Sequence, residues 1–161
     1  MGRLRSIVAR LTRGAPDSGP RRTAPAPRRG GAPADAGVRV VYAPQRDGDP
    51  DPGEVVWAWV PYEDDPAQGK DRPVLVVGYA GDGGRLVGVP LSSRDHAGRR
   101  DAGEWVPIGT GAWDRQGRES YADADRVLRL VPGEVRREGA SLPRDRFDAV
   151  VARVRALGHV R

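Results

Sequence analysis

A succession of short apolar runs, at 54–60, 74–80, 85–91, 104–109 and 120–130, is broken by clusters of Gly, Asp and Pro. Runs this short and this closely spaced predict the strands of a small antiparallel barrel or sandwich. Gly81-Asp82-Gly83-Gly84 suits a hairpin turn between the second and third runs, because glycine accepts the positive φ of tight turns. Only near the C-terminus does the period change. Phe147, Val150, Val151, Val154 and Leu157, three and four apart, predict one helix whose stripe packs on the barrel. Ser141 is read as its N-cap, Pro143 and Asp145 as first-turn residues, and Gly158 as its stop. The long loops, 61–72 and 92–103, are charged, and charged loops on a rigid scaffold are where function concentrates.

Upstream of Gly53 the chain changes character. Residues 1–52 hold 8 of the 15 prolines, 7 of the 22 glycines and ten arginines against five aspartates. They read as a basic tail, mostly disordered, with a short amphipathic helix at 3–12; the folded domain is expected over 53–158. The tail's excess accounts for the whole net charge of +5, so the folded part is formally neutral. That argues against a uniformly basic nucleic-acid surface on the domain, where any anion site must gather charge locally.

No cysteine is present, which excludes disulfides and thiolate metal sites and fits a cytoplasmic location. His96 and His159 are too few and too far apart for a histidine metal site, so neither metal nor cofactor is expected. The stretch around Leu4–Leu11 is too short, and too interrupted by Arg10, to be a signal segment or a membrane span. A membrane partner is not expected.

Several residues can carry chemistry. Pro73 holds Arg72 extended, which puts a permanent cation at a sheet edge. Ser92 and Ser93 end the third run. Taken alone, these are an ordinary surface arginine and ordinary turn hydroxyls. His96, four residues beyond Ser92, is either a general base or a solvated loop histidine. Trp57 and Trp59 share a strand face, so at least one belongs to the core. Trp113, in a Gly-rich stretch, is the better platform for stacking a base. Glu63-Asp64-Asp65 repels RNA unless paired with Lys70 or Arg94.

In order and spacing these segments resemble the MazF/PemK toxin family. The resemblance runs through Gly53-Glu54-Val55-Val56-Trp57, then Gln68-Gly69-Lys70-Asp71-Arg72-Pro73-Val74-Leu75-Val76-Val77, then Val89-Pro90-Leu91-Ser92-Ser93. It continues in Asp125-Arg126-Val127, similar to the family's late Asp-Gln-Val strand, and in Arg136-Arg137-Glu138-Gly139 with Leu142 before the last helix. The resemblance implies a mainly β, SH3-like (PemK/CcdB-type) barrel with a C-terminal helix, usually a homodimer. It implies a toxin that cleaves single-stranded RNA without metal or cofactor, leaving a 2′,3′-cyclic phosphate and a 5′-hydroxyl, and that a cognate antitoxin restrains.

By the same resemblance Arg72 stands at the catalytic arginine and Ser92 at the catalytic threonine. Ser93, Glu63, Asp64, Asp65 and His96 are the supporting residues expected around them, with Gln68, Lys70, Arg94 and Trp113 as RNA contacts. Two positions depart from the family pattern. Ala67 replaces a glutamate able to help deprotonate the 2′-OH, and Trp59 replaces an aspartate late in the first strand. The alternative is a non-catalytic member of the fold that binds DNA within a toxin-antitoxin complex or binds a protein target, as gyrase-poisoning toxins do. A peptide-binding module tethered by the basic tail is a third reading.

Overall fold

β3 (Gly69–Tyr79) is longer than any strand beside it, and it divides its edge between two partners. β2 (Val55–Pro61) pairs with its first part, from Gly69 to Leu75, and β1 (Arg39–Val40) with Gly78 and Tyr79. The computed structural model describes residues 37–45, 47–81, 84–136 and 140–161. The short helix expected at 3–12 lies outside them.

On its other side β3 pairs antiparallel with β4 (Leu86–Ser92), with a register shift between Val76 and Gly78. β4 divides in turn: its start pairs with β7 (Leu128–Leu130) and its end with β6 (Ser120–Asp123), which carries β5 (Trp105–Gly109) on its far edge. A single 7-stranded antiparallel sheet therefore curls into a half-barrel. The expected run at 120–130 is broken at Ala124–Val127, so Asp125, Arg126 and Val127 lie in a turn rather than a strand. The break lets β6 and β7 meet opposite ends of the same bent strand.

Alternation along the strands fills both faces. Leu75, Val77, Val89 and Leu91 point toward α1 (Arg144–Ala156), where Phe147, Val150, Val151 and Val154 are buried. Val56, Ala58, Val60, Val74, Val76 and Leu86 form a second cluster on the other face. Each fully buried Val, Leu or Phe contributes roughly 1.5–3 kcal/mol from burial.

The helix begins after Pro143, not at a Ser141 cap: Pro143 is extended (φ −54°, ψ 142°) and no side chain caps it. Proline biases Leu142 to extended backbone, which excludes an earlier start. Ser141 instead bridges antiparallel to Glu54. Gly158, at φ +83°, ends the helix as expected.

The folded part begins well before Gly53. Tyr42 packs edge-on against Phe147 at 5.0 Å and donates its hydroxyl to the Leu142 carbonyl at 2.9 Å, while Asp51 and Pro52 are buried. Gly53 turns this segment into β2 at φ +100°, and a Cβ there would stand 2.8 Å from the Tyr42 ring. The composition that reads as tail thus continues into a strand and an aromatic anchor.

Candidate functional site

Where the curl leaves the sheet open, one groove of about 1330 Å³ gathers Lys70, Arg72, Ser92, Arg94, Asp123 and Arg126. Register builds it. Val74 pairs with Pro90 across β3 and β4, and two residues further along each strand are Arg72 and Ser92. Ser92 pairs in turn with Tyr121 of β6, and Asp123 follows on the same face. Leu91 and Ala122, one residue off, point the other way into the helix-backed core.

Arg72 is half-buried, and its Nε has no hydrogen-bond partner. Burial lowers the guanidinium pKa first, Arg126 and Arg94 add to that, and Tyr62 and Asp123 oppose it. Lys70 is also held below its ordinary value, chiefly by Arg72, then by burial and Arg94. Cations whose charges disfavour one another are held together at this point, which is the electrostatic condition for an anion site. The Ser92 hydroxyl accepts the Arg94 N–H at 3.1 Å, so its own proton is free to be donated into the groove.

The other expected site residues divide. Glu63, Asp64, Ser93, Arg94 and His96 line the groove with Arg72 and Ser92. Asp65 and Gln68 do not: the Asp65 carboxylate accepts the Ala67 N–H at 3.1 Å and the Gln68 side-chain amide at 2.7 Å, which closes their own loop. Glu63 faces Arg126 at 3.6 Å, rather than the Lys70 or Arg94 expected from sequence.

Three aromatic and histidine expectations are corrected. Trp113 is only 3% exposed and donates its indole N–H to Ser120 Oγ at 3.0 Å, so its ring fills core and offers no face to a base. Neither tryptophan of β2 is in the core, because Val56, Ala58 and Val60 occupy the inward positions; Trp57 lines the groove and Trp59 is 57% exposed. His96 is neither solvated nor free to turn. It is buried and stacks on Trp105 at 3.5 Å and 12°, with both ring nitrogens lacking a partner, and burial lowers its pKa. Trp105 is itself tied to Asp101 at 3.1 Å.

The sequence reading does not name Asp123, and it names Arg126 only within Asp125-Arg126-Val127, with no role at the site. Arg126 reaches the Pro61 carbonyl and sits between Glu63 and Arg72. The Asp123 carboxyl is raised to about 6, first by burial and then by Glu63, against the opposing pull of Arg126. The signal for it was the alternation Ser120, Ala122, Ala124, which leaves Tyr121 and Asp123 on the opposite face of a strand ending beside Ser92.

The model of the PemK-like, MazF-like toxins of type II toxin-antitoxin systems matches residues 51–157. The chain belongs to this family. MazF (Form-I) from Deinococcus radiodurans is 24% identical over 69% of this chain and 97% of its own, with a TM-score of 0.52, a likeness of fold. The MazE-MazF structure (Form-II) from the same organism gives 25% identity, 69% and 96% coverage and a TM-score of 0.46. The Mycobacterium tuberculosis toxin MazF-mt6 gives 14%, 66%, 97% and 0.48. No curated protein matches. In this PemK/MazF-type toxin, Trp57, the stretch from Lys70 to Pro73, Leu91, Ser92, Ser93, Arg126 and Arg136, all from segments that carried the resemblance, line one groove. No helix among the described residues is long and apolar enough to cross a membrane.

Proposed function

We propose that this toxin is a metal-independent endoribonuclease that cuts single-stranded RNA in the groove. In this reading the ribose 2′-oxygen attacks the adjacent phosphorus and the 5′-oxygen leaves, giving a 2′,3′-cyclic phosphate and a 5′-hydroxyl. Negative charge grows on the nonbridging oxygens as the reaction proceeds. Arg72 meets that charge with a fork of donors, one of which, Nε, is buried without a partner. This orphaned donor is the observation that carries the proposal, because a buried N–H without a partner costs free energy that a bound phosphate recovers. Ser92 adds a hydroxyl donor from the neighbouring strand. Arg72 acts by charge, since a guanidinium does not give up its proton near neutrality.

Lys70 and Arg94 hold the flanking phosphates, and exposed Trp59, across β2–β3 from the groove residue Asp71, offers a face for a base. An acidic segment of a cognate antitoxin competes for the same cations, and the active form is a homodimer. A non-catalytic DNA- or protein-binding role has one observation in its favour: Ala67 leaves the Gln68 loop without the family's glutamate.

The test is RNA cleavage by purified wild type, Arg72→Ala and Ser92→Ala with their circular dichroism compared. Cleavage by wild type that drops ~10²-fold or more in Arg72→Ala, with unchanged spectra, supports the assignment. Equal cleavage by all three places the site elsewhere.

A further inference from the structure

Ala67 removes a carboxylate from the Gln68 loop, yet the reaction proposed above still needs a base for the 2′-OH proton. The described acidic residues near the groove are not equivalent. Asp65 is consumed by its own loop, and Asp125 by His159 at 3.0 Å. Asp71 is paired with Arg136, Asp101 is held by Trp105 and Arg99, and Asp114 is held by Arg118 at 2.7 Å. Glu63 is exposed against Arg126, and Asp64 is exposed at the groove.

Asp123 differs from all of these. It is partly buried, lines the groove, and projects from β6 on the face that Ser92 and Tyr121 share. Its partner across β5 is Trp105, so the base is carried by two paired strands rather than by a loop.

We infer that Asp123 is the general base of this toxin, a carboxylate supplied from β6 in place of the one missing at Ala67. The inference rests on the ribonuclease reading. In the step, Asp123 takes the 2′-OH proton as the 2′-oxygen bonds to phosphorus. The P–O5′ bond breaks, the leaving 5′-oxygen takes a proton from water, and Asp123 later returns its proton to solvent. Arg72 faces the same phosphate from β3, close enough for the two charges to interact.

The groups around Asp123 set its readiness. Burial raises its pKa, and Glu63 from the β2–β3 loop and Asp125 from the β6–β7 turn raise it further. Arg126 and the Asp125 backbone N–H oppose them, leaving it at about 6. A base with this value is ionised at neutral pH and far stronger than an ordinary aspartate. Since the ionised form acts, the rate falls as pH drops below that value. His96, which also lines the groove, is lowered from 6.5 chiefly by burial and stacks on Trp105, so its titration is tested beside that of Asp123.

The experiment is single-turnover cleavage of a long unstructured RNA from about pH 4.5 to 8.5, by wild type, Asp123→Asn and His96→Asn. Affinity of each for the same RNA made wholly 2′-O-methyl, which cannot react, is measured alongside. The expected wild-type rate falls tenfold per pH unit below about 6. Asp123→Asn should lose ~10²-fold at pH 7, show a flat profile, and bind the unreactive RNA at least as well as wild type. Three results overturn the inference: no acid limb in wild type, a limb retained in Asp123→Asn, or a limb lost only in His96→Asn. A wild type that cuts no RNA removes the ribonuclease reading, and the base with it. A wild type that cuts as well as Asp123→Asn removes the base alone.

Discussion

The two faces of the half-barrel follow opposite rules. Behind the sheet, Leu75, Val77, Val89 and Leu91 meet the Phe147 stripe of α1, and Tyr42 and Trp113 enter with their polar atoms paired to Leu142 and Ser120, while Arg153 Nε on α1 is left without a partner. At the open end, Arg72 Nε and both His96 nitrogens have no partner, arginines crowd Lys70, and Asp123 is pushed toward neutrality. The first region lowers the free energy of the fold. The second is costly without a ligand, and such local conflict marks places organised for binding or chemistry.

That contrast can be broken or sharpened by substitution. Phe147→Ala should have the largest effect, a loss of about 3–5 kcal/mol in denaturant unfolding, since the ring lies at the centre of the helix-backed core. Arg72→Ala should do the reverse: cleavage falls ~10²-fold or more while the melting temperature is unchanged or raised, because a half-buried cation without a partner at Nε is removed. A variant that loses stability in proportion to activity would merge the two regions into one.

Trp59→Ala tests the rim. A 57% exposed tryptophan contributes little to folding, so stability should stay within about 0.5 kcal/mol, while single-stranded RNA binding weakens by about 1–3 kcal/mol. Fluorescence titration against unstructured RNA reads this directly. Unchanged affinity would confine recognition to the groove itself.

The smallest effect is in stability and depends on pH. A carboxyl whose folded pKa is raised contributes most below its unfolded value, and that contribution is lost as pH rises through about 6. Asp123→Asn avoids the ionisation, so it should stabilise the fold at pH 8 by on the order of 1–2 kcal/mol, with the gain gone by about pH 4. Thermal melts across that range check the sign. A gain that grows toward acid would contradict the assigned burial.

How much of this was legible in the sequence follows from the range of each signal. Strand and helix stripes are local, so the barrel and the Phe147 helix could be read directly; Ser92 ends its strand as expected, but Arg72 lies inside β3, paired with Ala58, and not at a strand entry on the sheet edge. Asp123 could not be read directly, because its importance comes from three strands meeting and from a glutamate two elements away. Trp113 misled for a related reason. A Gly-rich setting suggests an exposed aromatic, but Gly111 is the opening that admits the ring, since a Cβ there would lie 2.1 Å from it. Residues 37–52 carry the composition of a tail, and only the pairing of Arg39 and Val40 with β3 shows that the sheet takes in two of them. Ser141 had the chemistry of a cap, yet Pro143 imposed the start of the helix by steric means alone.

The central claim, that the groove cuts RNA by 2′-OH attack without metal, is tested most directly by end chemistry. Purified toxin is incubated in EDTA with a long unstructured RNA, and the termini of the fragments are mapped. The account predicts cuts at a short recurring motif, with 5′-hydroxyl and 2′,3′-cyclic phosphate ends that are absent with Arg72→Ala. Intact RNA from a folded, antitoxin-free toxin, or fragments bearing 5′-phosphates, would contradict it.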